Sequence, residues 1–224
     1  MKYLIFDTGP IISLTMAGML TTLEKLKGVF DGEFILTPSV KFEVIDRPSK
    51  IKKYKLESIQ VQNLIDKGIF KMSTEFVTDQ KLDSETKKIL KTTNGIIRET
   101  NGGKKVTIIH KGEASCLAFS NLCKADNVIV VDERTTRLIT EAPRNLEKLI
   151  EKKVHMKVSA TLSLLEGYKK YKFIRSSELL YIAFKKDLLG MKKNKDLLDA
   201  LLYAVKFNGA AISVQEIEEM KRLV

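Results

Sequence analysis

The chain is predicted to be an α/β protein, a doubly wound parallel sheet of about five strands with helices on both faces. Three observations predict it. Short apolar runs such as Tyr3-Leu4-Ile5-Phe6 and Val128-Ile129-Val130-Val131 carry no polar residue, which suits strands covered on both faces. These runs alternate with segments of helical periodicity, the pattern of a parallel sheet. Acids stand directly behind two of the runs, Asp7 and Asp132.

Taken in order, residues 3–7 form the first strand, Thr8-Gly9-Pro10 turns the chain, and 11–26 read as one helix. Residues 34–37 form a second strand, stopped by Pro38. Ser39 is positioned to cap the next helix, with Val40, Val44 and Ile45 as its buried stripe and Phe42 off that stripe. Residues 59–65 are helical and 68–72 form a third strand. Residues 78–105 are polar: a short helix is expected over 83–90, then an exposed hairpin or loop, with turns at Asn94-Gly95 and Asn101-Gly102-Gly103. Residues 112–122 are a strong amphipathic helix and 128–131 the fourth strand. Residues 135–149 are mostly helical, and 153–158 are read as a fifth strand. The remainder, 160–224, reads as helices, clearest over 197–202 and 212–223. There is no internal repeat, and no linker precedes the last helices, so they are expected to pack on the sheet.

The 224 residues are 44% hydrophobic and 30% charged, ordinary for a globular protein. No apolar run approaches the roughly 20 residues of a membrane span, so no membrane partner is expected. The first residues are apolar but include Asp7 and lack a cationic cluster, which argues against a signal peptide. Cys116 and Cys123 lie in one predicted helix and read as small apolar groups, consistent with a reducing cytoplasm. Lys and Arg outnumber Asp and Glu 39 to 28, a net charge of +11 that favours a polyanionic partner without naming it.

Beyond the two strand-end acids, Glu43 follows Pro38 and Glu113 follows Gly112, both near helix starts. In open parallel sheets ligands sit beyond the carboxyl ends of the strands, where Asp7, Glu43, Glu113 and Asp132 can converge. Bare carboxylates that close repel and raise each other's pKa. A hard cation, Mg²⁺ or Mn²⁺, removes that penalty, acidifies a water and stabilises charge on a phosphodiester. Each acid also has a plainer reading. Asp7 with Thr8 could cap a helix, Glu113 could favour a helix dipole, Glu43 could be solvated, and Asp132 could be a turn residue. One acid alone favours the plain reading; four at matching strand and helix ends favour the metal.

Ile5-Phe6-Asp7-Thr8-Gly9-Pro10-Ile11-Ile12 resembles the opening of PIN domains. Thr37-Pro38-Ser39-Val40 with Glu43, Lys111-Gly112-Glu113-Ala114-Ser115-Cys116-Leu117-Ala118, and Val130-Val131-Asp132-Glu133-Arg134 with Arg137 resemble, in order, that family's other acidic elements. The resemblance runs through residues 1–158, a PIN-like nuclease domain, with 159–224 as a helical extension packed on it. It implies a Mg²⁺- or Mn²⁺-dependent endoribonuclease acting on single-stranded RNA. Many members are VapC-type toxins held by an antitoxin, and many form homodimers. It carries Asp7, Glu43, Glu113 and Asp132 over as catalytic residues, with Thr8 beside them. Asp7, Glu113 and Asp132 would hold the ion, and Glu133 could replace Asp132 as ligand. Residues 78–105 look like an insertion able to gate the site or bind a partner, so toxin status does not follow.

Two clusters mix cations with aromatics: Arg47, Lys50, Lys52, Lys53 and Lys55 around Tyr54, and Lys169, Lys170, Lys172 and Arg175 among Tyr168, Tyr171 and Phe173. Such clusters can hold a backbone and stack bases, which makes Lys52, Lys53, Tyr54, Lys169 and Lys170 candidate nucleic-acid contacts, with Thr8 and Arg134 added from the segments that resemble PIN domains. The alternative is a solvated helix face with its aromatics in the core. His110 and His155 have no zinc-type spacing, and no Gly-rich phosphate loop is present. The first strand superficially resembles that of haloacid dehalogenase-like phosphatases, but that family needs a second Asp two residues after the first, where Gly9 stands, which argues against phosphoaspartate chemistry. A function of a different class, a catalytically weak nucleic-acid- or ribosome-binding module, keeps the same fold.

Overall fold

Residues 2–100 and 103–223 are described by the computed structural model of the chain. β1 (Lys2–Phe6) leads into α1 (Thr8–Met16), α2 (Leu20–Val29), β2 (Glu33–Leu36), α3 (Pro38–Lys41), α4 (Lys55–Asp66) and β3 (Phe70–Met72). Then come α5 (Asp79–Thr93), β4 (Ile97–Glu99), α6 (Lys111–Leu122), β5 (Asp126–Val130), α7 (Arg134–Glu141), α8 (Pro143–Val154) and β6 (Val158–Ala160). β7 (Phe173–Ile174), α9 (Ser176–Lys185), α10 (Lys195–Phe207) and α11 (Val214–Arg222) complete the order.

Five strands form one parallel sheet in the order β3-β2-β1-β5-β7, and helices flank it, so the fold is the doubly wound α/β class. The most apolar strand is central: Ile5 pairs with Ile35 of β2 on one side and Ile129 of β5 on the other. Ile5 and Phe6 are fully buried. The Phe6 ring lies 5.1 Å from both Phe34 and Phe70, which knits the first three strands together. α1 packs with α4, α9 and α10, while α6 packs with α5 and with β1 and β5. One continuous apolar core reaches from Tyr3 to Ile217, so the last helices are built into it. Among the described residues no helix is long and apolar enough to cross a membrane.

Several local expectations are corrected. The helix expected over 11–26 is two helices, broken where Gly18 adopts a left-handed φ of +71°. Thr37, not Ser39, caps α3, its hydroxyl accepting from the Val40 amide at 3.3 Å. Val40, Val44 and Ile45 are buried as expected, while Phe42 is 52% exposed. The polar stretch from 78 holds a full helix, α5, because Leu82, Thr86, Ile89 and Thr93 fall on one face and pack toward α6. The turn read at Asn101-Gly102 lies outside the described residues.

The fifth strand is also elsewhere. Residues 153–154 end α8, whose Leu146 and Ile150 are buried at helical spacing, and His155 at φ +55° terminates it. Val158–Ala160 pairs antiparallel with β4 in a separate two-stranded sheet. The fifth strand of the main sheet is Phe173–Ile174, which is too short to show a period of its own.

Leu198 of α10 is fully buried. Leu198→Ala is expected to lower stability by about 2–5 kcal/mol. Because its surroundings belong to the common core, urea denaturation followed by circular dichroism should still show one transition. A second, separate transition would contradict a shared core.

Candidate acidic site

The chain winds outward from β1 through β2 and β3, then returns to the other side of β1 through β5 and β7. The strand order therefore reverses between β1 and β5, the place where open α/β sheets form their binding crevice. The Asp7 amide donates to the Val130 carbonyl at 3.0 Å, so Asp7 prolongs the ladder by one residue and leaves the sheet at this reversal.

Asp7 is only 5% exposed. It occupies the N-cap position of α1 but its side chain accepts no capping hydrogen bond, and its Oδ1 is buried without a partner among the described residues. Burial, above all, and then the Glu113 and Glu43 carboxylates push its pKa up to about 8, with the Thr8 and Gly9 amides only partly opposing them. Glu43 sits in a π-helical turn, Phe42–Asp46, directly after α3, and its Oε2 accepts the Thr8 hydroxyl at 2.6 Å. Both acids crowd the first turn of α6. A Cβ on Gly112 would lie 3.0 Å from Glu43 Oε2 and 3.3 Å from Asp7 Oδ1. Glycine here is what lets the two carboxylates approach the helix backbone.

Glu113 takes the helix-start role that its position after Gly112 suggested. Its Oε2 accepts the His110 amide at 2.6 Å, closing the start of α6, and its Oε1 accepts the Thr136 hydroxyl at 2.9 Å. Burial raises its pKa against the pull of those donors. Asp7, Glu43, Glu113 and Glu133 line one cavity of about 640 Å³, with Arg47 and Lys153 among its other walls.

Of the two neighbouring acids left open by the sequence, Glu133 reaches that cavity and Asp132 does not. Glu133 caps α7 and accepts Lys153 Nζ at 2.6 Å and the Thr135 hydroxyl at 2.7 Å. Burial acts to raise its pKa, but those partners outweigh it and hold it low. Asp132, 1% exposed, is bound through both oxygens to Ser176 at the start of α9, by the amide at 2.9 Å and the hydroxyl at 2.8 Å. It is a buried anchor beside the site, close enough that a Cβ on Gly9 would be 3.7 Å from its own. Burial raises its pKa, partly offset by Ser176. Among the described residues no three Asp, Glu, His or Cys side chains are already drawn together closely enough to hold an ion.

The proposed nucleic-acid contacts divide. Thr8 is in the cavity, and Arg134 is exposed beside Glu133 on the first turn of α7. Lys52, Lys53 and Tyr54 form an exposed turn before α4. Lys169 is paired with Glu166, and Lys170 lies with Asp126 and Asn127 at the amino end of β5, the far end of the sheet. Tyr168 and Tyr171 are buried, bonded to Thr93 and Asn121, so the second cluster follows the core reading. Lys153, Thr136 and Ser176 were not singled out by the sequence. Ser176 is 44 residues from Asp132, and nothing local to either marks the contact. Compared with protein-family models, with curated proteins and with solved structures, the chain finds no match in any of the three.

The pKa of Asp7 is about 8 in the fold against an ordinary 3.8. Its neutral form is thus favoured by folding, so this stabilising contribution is full below the ordinary value and is lost as pH rises through about 8. Asp7→Asn should therefore raise the melting temperature of metal-free protein more at pH 8 than at pH 5. A difference independent of pH, measured in chelator by scanning calorimetry, would contradict the burial and crowding described.

Proposed function

We propose that the protein is a divalent-cation-dependent endoribonuclease acting on single-stranded RNA, the activity that the resemblance to PIN domains implies. The observation that carries this reading is the Asp7 carboxylate: buried, with Oδ1 unpartnered among the described residues, and facing Glu43 across Gly112. An unpaired buried acid is costly unless something compensates it. The donor set is all carboxylate oxygen, which suits Mg²⁺ or Mn²⁺. Asp7, Glu43, Glu113 and Glu133 are the residues that would hold the ion, and Asp132 would steady the wall beside them. When bound, such an ion stabilises the charge that builds on a phosphodiester under attack.

The chain's own residues do the rest. Thr8 and Thr136 fix the Glu43 and Glu113 carboxylates through their hydroxyls. Arg47 and Lys153 put positive charge on the cavity walls, which favours a phosphate backbone beside the four acids.

The test uses labelled single-stranded RNA with Mn²⁺ or with chelator. Wild type is expected to cut only with Mn²⁺, and Asp7→Asn should lose cleavage by several orders of magnitude while staying folded. Binding in both conditions with cutting in neither would replace the nuclease by a binding module. Full activity in folded Asp7→Asn would remove Asp7 from the site.

A further inference from the structure

A second cavity, of about 610 Å³, adjoins the acidic one, and Glu43 and Arg47 line both. Its lining is mostly apolar, with Ile12, Met16, Ile51, Tyr54 and Phe207 all exposed. Phe207 is 79% exposed and Tyr54 39%. The Phe207 ring is stacked on Tyr203 at 5.7 Å. Within this apolar lining stands Glu57, whose Oε2 is buried without a hydrogen-bond partner among the described residues. Glu57 lies in the first turn of α4, where the helix dipole favours its charge. That does not supply the missing donor.

We propose that this cavity is a base subsite for a guanine nucleotide of a single-stranded chain whose phosphate lies at the acidic site. The inference rests on the nuclease reading above for its orientation.

The chemistry selects the occupant in three steps. An aliphatic side chain in the cavity would leave Glu57 Oε2 buried and unsatisfied, at a cost. A flat base instead has faces for Tyr54 and Phe207 and an edge for Glu57. An ionised carboxylate only accepts. Among the common bases, only guanine presents two adjacent donors, N1–H and N2–H, on its Watson–Crick edge. Adenine and cytosine set a donor beside an acceptor, and uracil sets one donor between two carbonyls. At the seam of the two cavities Arg47 forms no ion pair among the described residues, so it is available to the phosphate. Lys50, Lys52 and Lys53, all exposed on the neighbouring turns, add positive charge nearby.

Binding is measured by calorimetry in chelator, so that cleavage plays no part. The probes are the 5′-monophosphates of guanosine, inosine, adenosine and uridine. Guanosine monophosphate is expected to bind at least about tenfold more tightly than the adenosine and uridine forms, as a two-donor contact to one side chain allows. Inosine monophosphate, which keeps N1–H but lacks the N2 amino group, should fall between. Glu57→Gln should erase the ranking, and Phe207→Ala should weaken all four. Equal affinities, no binding, or a ranking that survives Glu57→Gln would overturn the proposal. So would a dimer that Phe207→Asp dissociates, with no nucleotide bound by the monomer, since a second copy would then own the cavity. Base preference without Mn²⁺-dependent cleavage would sink the nuclease reading and leave the subsite standing. Cleavage without base preference would do the reverse.

Discussion

A carboxylate at the buried end of the central strand sets the terms for this molecule. Ile5 and Phe6 have no exposure, and the residue that follows them is an acid that the chain reversal leaves with almost none. Water solvates Asp7 poorly, Oδ1 has no hydrogen-bond donor among the described residues, and two further carboxylates raise the cost of its charge. The surrounding choices are consistent with tolerating that acid in place. Gly112 gives up a side chain so that Asp7 and Glu43 can sit against α6, and the Thr8 and Thr136 hydroxyls orient Glu43 and Glu113. Such an arrangement is poor for stability and good for binding something positive.

Asp132 shows the opposite solution to the same problem. It is more deeply buried than Asp7, yet both of its oxygens are satisfied by Ser176. Arg175, next in sequence, is itself buried and holds Glu178 and Glu216, which reaches from α9 to α11. The end of β5 is thereby tied to the C-terminal helices through ionic hydrogen bonds. Those helices brace one wall of the crevice as well as covering the sheet.

The sheet was legible because buried parallel strands leave an unmistakable trace, runs without polar residues that end in turns. Asp7, Glu43 and Glu113 were legible for the same reason, since each stands at a boundary the pattern marks. What escaped has a physical cause in each case. Phe173–Ile174 is too short for periodicity, and the stripe on α5 is half threonine, so its polar composition hid a helix packed toward α6. The partition between Asp132 and Glu133 depends on Ser176, a contact across 44 residues that no local rule predicts. For the second aromatic and basic cluster the core alternative describes Tyr168 and Tyr171, and composition cannot tell the two ends of a sheet apart. Lys170 lies at the amino end, remote from the acids.

On the reading proposed above, the acidic crevice is held in readiness for a cation, with Asp7 carrying a proton until one arrives. The most direct measurement is proton release on Mn²⁺ binding at pH 7, by titration calorimetry in two buffers of different ionisation enthalpy. With the Asp7 pKa near 8, most of its population is protonated at that pH, so binding should release protons into the buffer. Asp7→Asn should release markedly fewer. Binding heats that are the same in both buffers, or no binding at all, would contradict a protonated Asp7 poised for a cation.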